Sequence, residues 1–277
     1  MEKVSVVIPC YNSGKTIKKT ISSLKNQTWD NIEIIVVNDG SDDPYTLEII
    51  SKIKNVKVIK KVNGGLSSAR NTGINHSKGN YILFLDSDDW VDVNVVEKMM
   101  ETIKKSNRDF VFCDMKLEGE KKNIRRKHYN FFEQLFINHM PYFILIKKSL
   151  IKKIGLYDEN MKLGYEDWEL NIRLGKEGYY PERLEFPLFH YNVTTSGMLN
   201  SVSKKNHDVI YDYIRKKHKN LFKIKTILKT YIFWRKKKMN YNIFLYVFLY
   251  LCVSVFPGKK FAKIYNTIYF LKTFFYK

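Results

Sequence analysis

Cysteine is scarce in this chain of 277 residues: Cys10, Cys113 and Cys252 are odd in number, far apart and free of any Cys-x-x-Cys pair. That excludes a disulfide framework and a thiolate zinc site, and makes a reducing cytosol the expected compartment. Glycine and proline, at 13 and 6 residues, are too few for a collagen-like or low-complexity chain. No period of about 20–50 residues repeats, which excludes a solenoid. The opening Met1, Glu2 and Lys3, followed by the apolar run 4–8, are too short and too weakly basic for a signal peptide, so the cytosolic side is expected. The mostly apolar, uncharged run 243–256 has 14 residues, short of the ~20 that a spanning helix needs. Acids are nearly missing from the last 77 residues, where only Asp208 and Asp212 face 18 Lys and Arg.

The content that is present points to a folded protein. At 44% hydrophobic and 15% aromatic residues, the chain can fill a core, which excludes global disorder. Its length suits one large α/β domain with an appendage. The formal net charge of +20 suggests nucleic acid or an anionic membrane. Divided by position, the charge is +4 over residues 1–200 and +16 over 201–277. A nearly neutral body carries a basic tail, and each needs its own explanation.

Over the first 115 residues, β-rich apolar runs at 4–8, 32–37, 56–59, 81–85 and 110–113 alternate with helical patterns at 16–24, 45–54, 66–75 and 93–105. This predicts βαβ units: an α/β fold with a mostly parallel, Rossmann-like sheet flanked by helices. Further on, 118–127 reads as a polar loop or hairpin, 131–137 as a short helix, 143–146 as a strand and 166–176 as a helix. Residues 181–190 look irregular and extended. From 207 the pattern is helical, ending with apolar residues at helical spacing over 261–276. The expected division is a domain at 1–200 and a basic, aromatic-rich helical extension at 201–277.

Two motifs are decoys. Residues 9–16, PCYNSGKT, nearly match a phosphate-binding loop, but Pro9 replaces the first glycine and offers no N–H; Asn12 or Ser13 as a helix cap is the expected alternative. Asp86, Asp88 and Glu97 have calcium-loop spacing, but Trp90 and Val91 stand where a ligand and the turn glycine belong.

The informative feature is acidic. In an open α/β sheet, ligands bind outside the carboxyl ends of the strands. Asp39 and Asp42 follow the second predicted strand, and Asp86, Asp88 and Asp89 follow the fourth. Spacing by two lets one carboxylate face a ribose and the next a cation, and hard oxygen donors suit Mg²⁺ or Mn²⁺ completing its shell with substrate phosphates. A bland alternative is that Asp88 or Asp92 caps the helix near Val93.

Five ordered motifs carry a family resemblance: VSVVIPCYN at 4–12, VVNDGSD at 36–42, NGGLSSARNTG at 63–73, FLDSDD at 84–89 and GYEDW at 164–168. Together they resemble a family 2 glycosyltransferase with the GT-A fold. The resemblance implies an inverting enzyme that uses a nucleotide-sugar, usually a UDP-sugar, and a divalent metal, Mn²⁺ or Mg²⁺. It places Pro9, Tyr11 and Asn12 around the nucleotide, Asp39 on the uracil with Asp42 beside it, and Arg70 near the base and diphosphate, unless Arg70 is a helix-surface charge. Asp86, with Ser87, lies on the nucleotide side of the DxD motif, and Asp88 is the metal ligand.

The same resemblance makes Asp167 the general base of an ED motif and Glu166 its acceptor-positioning neighbour. A carboxylate in a helix's first turn is held in the charged form a base requires. His190 is a further candidate for the metal or phosphate, or a packed side chain. Asn192 stands where the family often has Arg. Tyr165 and Trp168 are candidates for stacking on an acceptor sugar, or for core.

The tail, with four cations at 235–238 before the run 243–256, is expected to lie on an anionic membrane face. A partner or oligomer helix and a nucleic-acid surface are the weaker readings. A glycan or lipid-linked saccharide is the expected acceptor. The rival functions are a nucleotide- or glycan-binding module without turnover, which would need neither Asp88 nor Asp167, and a nucleotidyltransferase.

Overall fold

The computed structural model describes residues 1–255, with backbone alone at 252–255, so the predicted segment 261–276 lies outside the described residues. The chain forms two compact units. One comprises Met1–Lys127, Met140–Lys162 and Glu166–Thr195; the other comprises His128–His139, Leu163–Tyr165 and the chain from Ser196.

In chain order the elements are β1 (Val4–Cys10), α1 (Ile17–Lys25), β2 (Ile32–Asp39), α2 (Pro44–Ser51), β3 (Lys57–Lys61), α3 (Leu66–His76), β4 (Tyr81–Phe84), β5 (Trp90–Val91), α4 (Val95–Ser106), β6 (Phe110–Gly119), β7 (Asn123–Arg125), α5 (Phe131–Gln134), β8 (Ile144–Lys147), α6 (Lys148–Ile154), α7 (Glu166–Lys176), β9 (Glu182–Val193), α8 (His207–Lys217), α9 (Ile224–Trp234) and α10 (Ile243–Val255).

The first unit is built on one sheet of order β3-β2-β1-β4-β8-β6-β9-β5, with β7 paired to β6. The expected parallel sheet occupies β3-β2-β1-β4. Next to it β8 runs antiparallel to both β4 and β6, so the outer part of the sheet is mixed. All seven residues of β1 are buried, as a central strand covered on both faces requires. Helix α3 lies close on it because a Cβ at Gly73 would come within 2.3 Å of Val7 Cγ1, a space only glycine leaves free.

The stretch expected to be irregular and extended at 181–190 is extended, and from Glu182 it is regular, as part of the 12-residue strand β9. Its pairing with β6 is interrupted between Leu184↔Cys113 and Phe189↔Met115. Pro187 falls in that gap, where its missing N–H breaks no ladder bond. The 118–127 stretch is a hairpin, with Met115 paired to Arg125.

The second unit packs helices around aromatic side chains. Phe132 lies 5.3 Å from Tyr246 and 5.2 Å from Tyr231 between ring centroids, and Ile210, Ile214, Ile227, Trp234 and Leu249 are buried with them. At its centre the buried Glu133 accepts hydrogen bonds from the Asn240 backbone N–H at 2.9 Å, Asn240 Nδ2 at 2.6 Å and the Tyr246 hydroxyl at 2.6 Å. Among the described residues, no helix is long and apolar enough to cross a membrane.

Candidate functional site

Because β1, β2 and β4 are parallel, their carboxyl ends share one edge of the sheet. Asp39 is the last residue of β2 and Asp86 follows β4 by two residues. The loop after β1 joins the same rim. There Asn12, in the left-handed region with φ 51°, donates from Nδ2 to Asp42 Oδ1 at 2.6 Å and accepts from the Asp42 and Asp43 N–H groups at 3.1 Å. Neither Asn12 nor Ser13 caps α1: the helix starts after Thr16 with no side-chain cap. Tyr11 is exposed, whereas Pro9 is buried in β1 opposite Val37.

The buried Asp39 carboxylate holds the glycine turn before α3. It accepts from Lys61 Nζ at 2.5 Å, the Gly64 N–H at 3.0 Å and the Gly65 N–H at 2.8 Å. Gly65 has φ +86°, a conformation that favours glycine.

Arg70 is the centre of the site. The alternative of a helix-surface charge is wrong, since the side chain is fully buried. Its Nη2 donates to Asp86 at 2.7 Å and its Nη1 donates to Glu166. The guanidinium lies 5.0 Å from the Tyr142 ring and 5.3 Å from the Tyr157 ring. Burial disfavours its charge, but the Asp86 and Glu166 carboxylates outweigh that and raise its pKa well above the ordinary arginine value. The neighbouring Asn71 exchanges two 2.9 Å hydrogen bonds with the Tyr157 backbone, which fixes α3 to the chain leading towards α7.

Tyr142, which no sequence feature marked, organises the acidic turn. Its hydroxyl accepts from the Asp86 N–H at 3.0 Å and donates to Asp89. Thr20 of α1 donates to the carbonyls of Ser87 at 3.0 Å and Asp89 at 2.7 Å. Ser87 is therefore buried in the turn, with its carbonyl taken. Asp89 also accepts the Asn192 N–H at 2.7 Å, tying the turn to β9. Asp88 caps no helix, and neither does Asp92, because α4 begins after Asn94 without a side-chain cap.

Charge crowding is strong here. Burial and the neighbouring Asp86 push the Asp88 carboxyl up to about 6. Burial and the Asp88 and Asp86 charges push Asp89 well above the ordinary range. Glu166 is pushed up to about 7 by burial, against the pull of Arg70. A cation among these oxygens would reverse such shifts.

Helix α7 starts at Glu166 after two residues of positive φ, Gly164 at 102° and Tyr165 at 61°. Asp167 is half-buried, and its Oδ1 accepts the Trp168 N–H at 2.8 Å. Glu169 in the same turn pairs with Arg173 at 2.9 Å. Arg173 also donates to the Ile154 carbonyl at 2.6 Å, so the helix is anchored from behind.

Three further predicted residues are engaged with neighbours of their own. Trp168 is 1% exposed and fills the core of the first unit, so it offers no face to a sugar. His190 does not stand free for a metal: Nδ1 lies 2.8 Å from Glu118 and Nε2 2.9 Å from Asp92, and its ring stacks on Trp90 at 5.2 Å. Within the second unit, the Tyr165 hydroxyl lies 3.3 Å from His207 Nδ1 and its ring meets His207 edge-on.

The chain is similar to known glycosyltransferases in sequence and in fold. The family description "Glycosyl transferase family 2" matches residues 5–168. The chain is 31% identical over 194 residues to glycosyltransferase GlyA of Streptococcus pneumoniae, covering 66% of this chain and 28% of that protein. It is 38% identical over 130 residues to the poly(ribitol-phosphate) beta-N-acetylglucosaminyltransferase TarP of Staphylococcus aureus, covering 45% of this chain and 40% of that one. The chain thus spans less than half the length of these two relatives. Its fold is similar to that of S. aureus TarS 1-349 crystallised with UDP-GlcNAc, with TM-score 0.65, 21% identity, and coverage of 85% of this chain and 74% of that one. A family match that runs from β1 to the first turn of α7, over the residues that Arg70 draws together, makes this chain a member of glycosyltransferase family 2.

Proposed function

We propose that this protein is an inverting, metal-assisted glycosyltransferase that moves a sugar from a UDP-sugar to a hydroxyl of a glycan or lipid-linked saccharide at the cytosolic face of a membrane. The observation that carries this reading is the double grip of Arg70 on Asp86 and Glu166. It joins the turn suited to a departing diphosphate to the helix that offers a base.

Asp39 and Asp42 take the uracil side, with Tyr11 and Asn12 at the rim; Asp86 and Ser87 frame the nucleotide turn. Asp88, beside Asp86, supplies hard oxygen donors. Carboxylate donors of this kind fit Mg²⁺ or Mn²⁺ sharing its shell with substrate oxygens. When bound, the ion offsets charge on the leaving diphosphate. The acceptor oxygen forms its bond to C1 as the C1–O bond breaks, the electron pair leaves with the diphosphate, and Asp167 takes the acceptor's proton. Glu166, held by Arg70, orients the acceptor beside it. Support for the donor comes from the UDP-GlcNAc bound by TarS, and for a polymeric acceptor from the poly(ribitol-phosphate) in the name of TarP.

The test is a panel of nucleotide-sugars with Mn²⁺ or Mg²⁺, assayed for binding and transfer. Asp88→Ala is expected to lose metal-dependent donor binding. Asp167→Asn is expected to keep donor binding and lose transfer by about 10²–10⁴-fold. A fully active Asp167→Asn removes the base assignment.

A further inference from the structure

The last two described helices of the second unit have apolar outward faces. On α9, Ile224, Leu228 and Ile232 follow one another at intervals of four and are exposed, and Phe233 beside them is 67% exposed. The same helix buries Ile227 and Trp234. On α10, Tyr246 and Leu249 are buried, whereas Phe244, Val247, Phe248 and Leu251 are open to solvent, Phe244 at 77%. These four have the i, i+3, i+4, i+7 spacing of one helix face, and α10 carries no charged residue. A helix in water normally turns its polar side outward; here the outward side is phenylalanine, valine and leucine. Between the two helices lie Arg235, Lys236, Lys237 and Lys238, all exposed. Lys225 and Lys229 are exposed on α9 itself.

We infer that this face of α9 and α10, with the basic link between them, is a docking surface for an anionic lipid bilayer, on which α10 lies in the interface. The surface deepens the membrane setting proposed above, independently of the transfer chemistry. Charge complementarity selects the partner: the link is a run of four cations, and from Tyr213 onward the chain has no acid, so a second copy of the same face would meet like charge. Nucleic acid offers the right charge but wants rings to stack on, and most of the exposed apolar side chains are aliphatic. Acyl chains accept both kinds of side chain. The 13 residues of α10 give a length of about 20 Å, against a hydrocarbon core of about 30 Å. The helix can lie in the interface without crossing it, its apolar side towards the acyl chains and the cations of the link at headgroup level.

The full chain is tested by flotation with vesicles of phosphatidylcholine alone and of phosphatidylcholine mixed with phosphatidylglycerol. Wild type is expected to float with the mixed vesicles at least about 10-fold better than with the neutral ones, and the difference to shrink with added salt. The triple variant Lys236→Glu, Lys237→Glu, Lys238→Glu is expected to lose the preference for anionic lipid. Phe244→Ser with Phe248→Ser is expected to lose flotation on both vesicles. Circular dichroism and vesicle-free donor binding are expected to be unchanged in both, so that a misfolded variant or an inactive site is told apart from a lost surface. Wild type left in the soluble fraction with mixed vesicles overturns the inference. So does flotation of both variants like wild type, or self-association that these variants abolish without any vesicle binding.

Discussion

The two units bury charge in different ways. In the first, the buried Arg70 is paired with the half-buried Asp86 and the buried Glu166, and the half-buried Arg173 and Arg183 are paired with the buried Glu169 and Asp114. In the second, the buried Glu133 is held by amide and hydroxyl donors, with the imidazole Nε2 of His139 3.6 Å away, while the basic link 235–238 stays in solvent. Buried ion pairs seldom add stability over an apolar core, so the first unit's pairs need another reason. They hold carboxylates in fixed places at a strand edge. In the second unit the four cations of the link 235–238 are exposed.

The sharpest way to break this contrast is to remove the cation. Arg70→Met leaves Asp86 and Glu166 without their partner and is expected to cost about 3–5 kcal/mol in denaturant unfolding. Arg70→Lys is expected to recover little, because one ammonium lacks the fork that meets two carboxylates. An Arg70→Met protein as stable as wild type would show that the grip is dispensable.

Titration should separate the units next. Glu166 has its carboxyl raised from 4.5 to about 7, so its favourable contribution is complete below about pH 4.5 and is lost as pH rises through 7. His207 is lowered from 6.5 to about 4 by burial; its contribution is present above about pH 6.5 and is lost as pH falls through 4. Comparing unfolding free energies near pH 5 and near pH 7 in metal-free protein, Glu166→Gln should gain on wild type at the higher pH and His207→Gln at the lower. Each effect is expected to be on the order of 2 kcal/mol. Equal pH slopes in both variants would erase the distinction.

A comparable effect concerns the cage around Glu133. Glu133→Gln removes an acceptor oxygen from Asn240 and Tyr246 and is expected to cost about 1–3 kcal/mol, with donor binding unchanged. A loss of donor binding there would mean that the two units share work.

Much of the first unit is legible in the sequence. Hydrophobic periodicity placed β1 to β4 and α1 to α4, and the start of α7 fell where the predicted helix began. The acids at the ends of β2 and β4 were visible as carboxylates that close apolar runs. Arg70 was not readable as buried, because its partners stand 16 and 96 residues away and local pattern carries no such information. Tyr142 gave no sign either: its role depends on a backbone N–H 56 residues before it. The polar run Arg70-Asn71 inside a helix against the sheet was the one available hint. Strand β9 was missed because Pro187 argues against a strand, and only the break in pairing with β6 makes room for it.

The planar guanidinium of Arg70 also acts as a gauge block. Its two terminal nitrogens are a fixed distance apart by covalent geometry, and each is seated on a different carboxylate. The spacing between the turn after β4 and the head of α7 is therefore set by the width of a rigid chemical group, so that a drift in the packing behind either element moves both together.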